Sequence, residues 1–296
     1  MLALTKIIQP NYGAPQLTGL AIAVLPVAFA AVAQAIVVIS GGIDLSVASI
    51  MALTNVTAAV LMQDQGEGFA IAAVLGVLLL GVVVGATNGA LIVVTRVPDI
   101  VVTLAMSFVW AGATLLVLSS PGGGAADWFK GLVNGSILVP WLPRAFVTLL
   151  VVVAIIWIPL RRSLLGMSLY AVGSDQLAAF RSGVSVGRTK IVAYALTGLF
   201  CAMGGLVITA STGSGSPLPG PYTLQSVAAI VLGGVSLAGG RGGVAGPIVA
   251  VAILQLVRTD LTLLGVNPQL STAVQGAILI SVVLVGSLLT LRRTRA

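Results

Sequence analysis

Between two long apolar runs of this chain lies a basic island, Arg161 to Lys190, holding the pattern Ser174-Asp175-Gln176-Leu177-Ala178-Ala179-Phe180-Arg181-Ser182-Gly183. Ser174 is placed to cap a short helix, Asp175 suits the positive amino-terminal end of that helix, and Gly183 suits its termination. Leu177 and Phe180, three apart, share one face, while Ala178 and Ala179 keep the helix slim. Such a helix either lays its apolar edge on a membrane or inserts it into a groove on a protein partner. Capped ends and slim alanines favour the partner.

A second set of chemical groups sits within or at the margins of apolar runs: Gln34, Asp44, Asn55, Asn88, Trp110, Gln225, Ser226 and Gln275. Each has a bland reading as an interhelical hydrogen bond or core contact. Asp44 apart, they offer amides and hydroxyls without fixed charge, suited to a neutral, hydroxyl-rich solute, and Trp110 offers an apolar face for a sugar ring. Asp44 belongs to Ser40-Gly41-Gly42-Ile43-Asp44-Leu45-Ser46, which reads as a tight interhelical turn or as a broken-helix element beside a solute path. A later cluster, Leu232 to Gly243, contains Gly239-Gly240, and laying Gly41-Gly42 over it gives a weak internal likeness. Gly81, Gly85 and Gly89 recur every four residues and let another helix pack closely.

Absences exclude whole classes of chemistry. With no histidine there is no Ser-His-Asp or Cys-His set and no histidine-ligated metal site. None of Lys6, Lys130 and Lys190 completes a P-loop, so this chain does not hold ATP in that way. Cys201 is single and excludes a disulfide within the chain. Met1 to Asn11 lacks the basic start and apolar core of a cleavable signal.

The elements that position these groups are membrane spans. Of 296 residues, 58% are hydrophobic and 7% charged, against about 25% charged in soluble domains. Nine apolar segments are expected: 17–39, 45–62, 69–94, 100–118, 145–160, 191–210, 222–238, 243–257 and 271–291, the fifth and eighth short. Alternating the loops puts Arg96, Arg161, Arg162, Arg181, Arg188, Lys190, Arg241, Arg292, Arg293 and Arg295 on one face. Lys6, Lys130, Arg144 and Arg258 fall on the other, a 10-to-4 split that assigns the first face to the cytosol. The basic balance thus fits a membrane and gives no nucleic-acid footprint. The amino terminus then falls outside, and the expectation is a first helix missing from this sequence.

Four pieces, in this order and spacing, resemble the membrane permeases of ribose-type bacterial ABC sugar importers. They are Gly41-Gly42-Ile43-Asp44-Leu45-Ser46-Val47, Asn88-Gly89, Gly166-Met167 through Gly183-Val184, and Val231-Leu232-Gly233-Gly234 through Gly239-Gly240-Arg241-Gly242. The likeness runs from about Gln9 to Leu291. It implies an all-α polytopic permease similar to the vitamin B12 importer's membrane subunit, one domain over 1–296 with a cytosolic coupling loop at 161–190. Ten spans are implied by the family and about nine are found here, lacking the first.

The resemblance also implies a multi-pass protein of the bacterial inner membrane, its carboxyl terminus cytosolic, without enzymatic activity or a bound cofactor. ATP would be hydrolysed by partner subunits. Those ABC ATPases would grip Ser174, Asp175, Leu177, Ala178, Ala179, Phe180, Arg181 and Gly183. The other implied partners are a periplasmic sugar-binding protein, a second copy or sister permease, and a neutral monosaccharide. Two departures stand out: Gln34 where methionine is common, and Gln225 where an acidic residue is usual. A branched-chain amino acid or furanose-like signal molecule is the alternative solute. A motor-independent carrier is disfavoured by the scarcity of acidic groups in the spans, and an intramembrane hydrolase, a third class, by the missing histidine and the lack of an evident aspartate pair.

Overall fold

The computed structural model describes residues 2–267 together with residues 270, 273, 274, 276, 277 and 280. Twelve helices carry the described chain. They are α1 (Leu2–Ile8), α2 (Ala14–Ile39), α3 (Val47–Met62), α4 (Glu67–Thr95), α5 (Asp99–Val117), α6 (Asp127–Gly131), α7 (Arg144–Arg162), α8 (Leu164–Ser174), α9 (Gln176–Arg181), α10 (Val186–Thr212), α11 (Tyr222–Leu232) and α12 (Ala245–Leu263). No strand occurs among the described residues, which show only isolated bridges between Gly122 and Gly215 and between Ser136 and Pro143. In hydrocarbon each backbone amide needs an internal partner, and helices provide this within one segment.

Six helices, α2, α4, α5, α7, α10 and α12, are long and apolar enough to cross a membrane. The fifth and eighth expected segments are therefore full length, at 19 residues each in α7 and α12, because each borrows flanking residues. The short elements are α3, at 16 residues, and α11, which stops at Leu232 after 11 rather than reaching Ala238. The final expected segment, 271–291, falls largely outside the described residues.

The centre of the bundle is α2, wholly buried from Val24 to Ile39, with α10 against it. Outer helices turn Leu75, Leu79, Phe108, Leu116 and Ile155 to the surroundings. Since lipid solvates such side chains as well as a core does, close packing of small residues has to hold the helices together. The glycine stripe does this between α4 and α10. A Cβ on Gly85 would strike the Tyr194 carbonyl and lie 3.0 Å from the Gly198 Cα, and one on Gly89 would lie 2.9 Å from the Ile191 Cα.

Two segments enter the bundle without completing a crossing. The chain leaves α2 at one end, and Gly42 to Ser46 then climb inward, since Ser46 reaches Asn88, seven residues or about 10 Å up α4 from Thr95. From the opposite end, Ser211 to Pro221 descends until Thr223 accepts from the Ala48 amide, 3.0 Å away, at the start of α3. The following α11 is about 16 Å long, roughly half a ~30 Å crossing. The Gly41-Gly42 motif thus forms the turn between α2 and α3, and the residues after it enter the bundle.

Gly85→Val should separate α4 from α10 and lower the thermal midpoint of the detergent-solubilised chain, a cost of about 1–3 kcal/mol or more for overpacking. Gly76→Val, on the same helix with nothing within 4 Å, should leave the midpoint unchanged. Equal midpoints for the two variants would refute the close approach.

Candidate functional site

The island from Arg161 to Lys190 folds as α8, α9 and the start of α10. The cap of α9 is Asp175, one residue beyond the expected Ser174, which ends α8. The Asp175 carboxylate Oδ1 accepts from the amides of Leu177, 2.8 Å, and Ala178, 2.9 Å. Gly183, at φ +85°, ends the helix as expected, with its amide donating to Phe180 and that of Val184 to Ala179. Ala179 is buried and seats the helix, whereas Leu177 is 58% exposed and Phe180 68%. Ala178 and Arg181 also face outward. On one side lies a hollow of about 630 Å³ lined by Arg96, Pro98, Asp99, Gln176, Phe180 and Lys190.

Beneath α9 three chain segments meet without side chains between them. The Gly240 amide donates to the Ile39 carbonyl, 3.0 Å away. Any Cβ on Gly173 would overlap that same carbonyl, and one on Gly239 would come within 3.0 Å of the Gly41 Cα. Gly41, Gly239 and Gly240 all take positive φ (+82°, +86° and +67°), which glycine alone adopts at little cost. The two glycine pairs that look alike in sequence thus lie face to face, with Gly173 of α8 against both.

From this junction a polar chain runs inward. Buried Asp44 accepts at Oδ1 from the Ser46 amide, 2.8 Å, and the Ser46 hydroxyl, 2.6 Å. Asn88 donates to that hydroxyl oxygen, 2.8 Å, and accepts from the Trp110 indole, 3.1 Å. Alongside, the Leu45 amide donates to Thr103. Lys190 pairs with Asp99 at 3.2 Å with both side chains largely buried, and the Tyr194 hydroxyl donates to Asp99, 3.0 Å. Asp99 and Tyr194 close tightly over Gly42, leaving no room there for a Cβ. Asp44 Oδ2 has no hydrogen-bond partner among the described residues.

The remaining expected site residues are dispersed. Asn55 clamps the descending segment, donating to Thr209, 2.8 Å, and accepting from the Ser216 amide, 2.8 Å. Ser226 bonds within its own helix to Thr223. Gln34 is fully buried in α2, and neither end of its amide has a hydrogen-bond partner among the described residues. Gln225 lines a cavity beside α12. Gln275 lies outside the described residues.

Sequence reasoning missed Asp99, Lys190 and Tyr194, because loop charges were sorted only by side. The available signal was an aspartate standing alone among the basic residues at a span margin. It also ended the eighth span at Val257, so Arg258 and Asp260 were left out of the spans. Both are on α12, and Asp260 is buried with neither carboxylate oxygen partnered among the described residues. The longer helix places Arg258 and Asp260 on α12 where the sequence reading put them in a loop.

Asp44→Ala should lower the thermal midpoint by removing the acceptor of both Ser46 donors, and Asp44→Asn, which keeps an acceptor, should lower it less; equal midpoints for the wild type and Asp44→Ala would remove these bonds from the explanation. Gln34→Met should raise the midpoint, because an unsatisfied buried amide costs about 1–3 kcal/mol. A lower midpoint would mean that the amide is satisfied in the folded chain.

Residues 16–283 match the family model described as branched-chain amino acid transport system / permease component. The ribose import permease protein RbsC of Escherichia coli (strain K12) is 33% identical over 267 residues, covering 87% of this chain and 81% of the relative. The autoinducer 2 import system permease protein LsrD of Escherichia coli (strain K12) is 33% identical over 265 residues, covering 87% and 79%. No solved structure matches the chain. A family model spanning most of the chain, and relatives aligned over most of both lengths, establish that the chain belongs to the branched-chain amino acid transport system / permease component family.

Proposed function

We propose that this chain is the membrane subunit of an ATP-driven, binding-protein-dependent importer that carries a monosaccharide or a closely related solute into the cytoplasm. The observation that carries the reading is the Leu177–Phe180 pair, held outward on a capped helix that rests on a side-chain-free junction. An apolar pair kept in water on so rigid a mount suits a groove in a soluble partner, and cytosolic ABC ATPases are the partners that an import permease of this family requires. The named functions of RbsC and LsrD, ribose import and autoinducer 2 import, support a small hydroxylated solute.

In this reading the end bearing Arg96, Arg161, Arg162, Arg181, Arg188, Lys190 and Arg241 faces the cytosol, as the positive-inside rule directs, and so does the carboxyl terminus. The described helices belong to a nine-span permease resembling the vitamin B12 importer's subunit in a bacterial inner membrane. A second copy or sister permease completes the path, and a periplasmic binding protein delivers solute at the opposite end. This chain binds no ATP and catalyses no reaction. Motion of α9 passes through Gly173 to the end of α2 and the Gly239–Gly240 turn, and from there along Asp44, Ser46, Asn88 and Trp110. Directional transport requires ATP and the loaded binding protein to favour different states of the path.

A motor-independent carrier is a second reading, favoured by buried Asp44 and Asp260, since proton coupling uses embedded acids. ATP dependence separates the two. In proteoliposomes with the ATPase and binding protein, Phe180→Asp should cut ATP-driven uptake at least tenfold, as expected for loss of a hot spot of about 2 kcal/mol, while membrane insertion is kept. Normal uptake by an inserted Phe180→Asp chain, or uptake without ATP, would sink the importer reading.

A further inference from the structure

A cavity of about 390 Å³ lies between α2, the start of α11 and α12, on the side of the bundle away from Asp44's polar chain. That size is in the range of small-molecule sites, which combine an apolar lining with a few converging polar groups. Val27, Leu224 and Val251 supply apolar wall, and Gln225, Gln255 and Arg258 supply the polar groups. Gln255 is already oriented, because its amide nitrogen donates to the Ala23 carbonyl, 3.0 Å away, which leaves its oxygen as acceptor. Among the described lining residues Arg258 is the sole charge, and it makes no ion pair with any described residue. Asp260, two residues on, cannot neutralise it, since positions two apart point away from each other on a helix.

The Arg258 guanidinium is exposed at the rim of this cavity, five residues before α12 ends, where a solute can reach it. Its flat fork of donors matches a carboxylate or phosphate bidentately. The neighbouring amides match hydroxyls. We propose that this cavity binds a sugar acid, with Arg258 holding the carboxylate and with Gln225 and Gln255 reading ring hydroxyls, so that the importer prefers an acidic over a neutral sugar. The proposal rests on the importer reading and narrows its solute. It also gives Gln225 a role: an acidic residue at that position would repel the carboxylate that an uncharged amide tolerates.

The test uses the full chain with its ATPase and binding protein in proteoliposomes, with labelled galacturonate and galactose as probes. Uptake of galacturonate should exceed that of galactose, and Arg258→Gln should lower this preference at least tenfold. Arg258→Lys, a point charge without the fork, should lie between. Insertion and thermal midpoint of each variant are measured alongside, so a folding failure is recognised, and Gln225→Glu, which should also lower the preference, serves as an independent variant. ATP-driven uptake of galactose with no uptake of galacturonate would overturn the sugar-acid proposal and leave the importer reading standing. Equal losses for both solutes, or losses seen only in phosphatidylglycerol vesicles and not in phosphatidylcholine ones, would also overturn it, the latter assigning Arg258 to a lipid headgroup. Absence of ATP-driven uptake of galacturonate, with normal insertion, would overturn the proposal, and absence of ATP-driven uptake of galactose and ribose as well would overturn the importer reading with it.

Discussion

The contact on which the rest of this protein depends is a place where side chains are missing. Gly173 of α8, Gly41 after α2 and the Gly239–Gly240 turn approach so closely that a single Cβ at Gly173, Gly239 or Gly240 would overlap backbone. Apolar side chains gain little by leaving lipid for another helix, so bulk hydrophobicity cannot choose between neighbouring arrangements of these segments. Backbone contact can, because it has one solution and is not softened by rotamer changes. The helix α9 follows α8 after a single residue and inherits that position. Displacing α9 while α8 stays rigid must move the end of the most buried helix of the bundle.

The polar groups around the junction follow from its low dielectric. A free carboxylate or ammonium at such depth would be costly, and a charged pair persists only with geometry that satisfies its remaining atoms. Asp99 meets this with Lys190 and Tyr194, and Asp44 meets it in part with both donors of Ser46. Tyr194 ties the two groups together, because its hydroxyl also lies 3.3 Å from the carbonyl of Ile43. The network therefore bonds α4, α5 and α10 to the single loop between α2 and α3. Breaking one member leaves others unsatisfied, which makes the loop cooperative and suits it to have two discrete positions instead of a continuum.

Much of this was legible in the sequence because membrane spans announce themselves by length, and glycines and caps by type. The helix from Gln176 to Arg181, its end at Gly183 and the close packing along Gly81, Gly85 and Gly89 all follow from local rules. What was not legible is what pairs across the bundle. Asp99 and Lys190 stand 91 positions apart, and nothing in a one-dimensional pattern says that they touch. Asn55 likewise read as a candidate on a solute path, yet in the fold it fastens the Ser211–Pro221 segment. Span ends were misjudged for a physical reason: hydropathy falls where a helix carries charge, but the helix itself continues. Val257 is the last residue of an apolar run, and α12 runs on to Leu263.

That last difference changes the chemistry open to the protein. With α12 ending at Val257, Arg258 would be a loop cation serving only to set topology. On a helix that continues for five residues beyond it, Arg258 has a fixed height and azimuth, and it shares a cavity with two amides placed by other packing demands. The descent of Ser211 to Pro221 matters here as well. Because α11 begins partway through the bundle, its first turn, carrying Leu224 and Gln225, becomes cavity wall where a full-length span would have filled the space. The half-helix and the long helix thus make one hollow between them, with Arg258 on its wall.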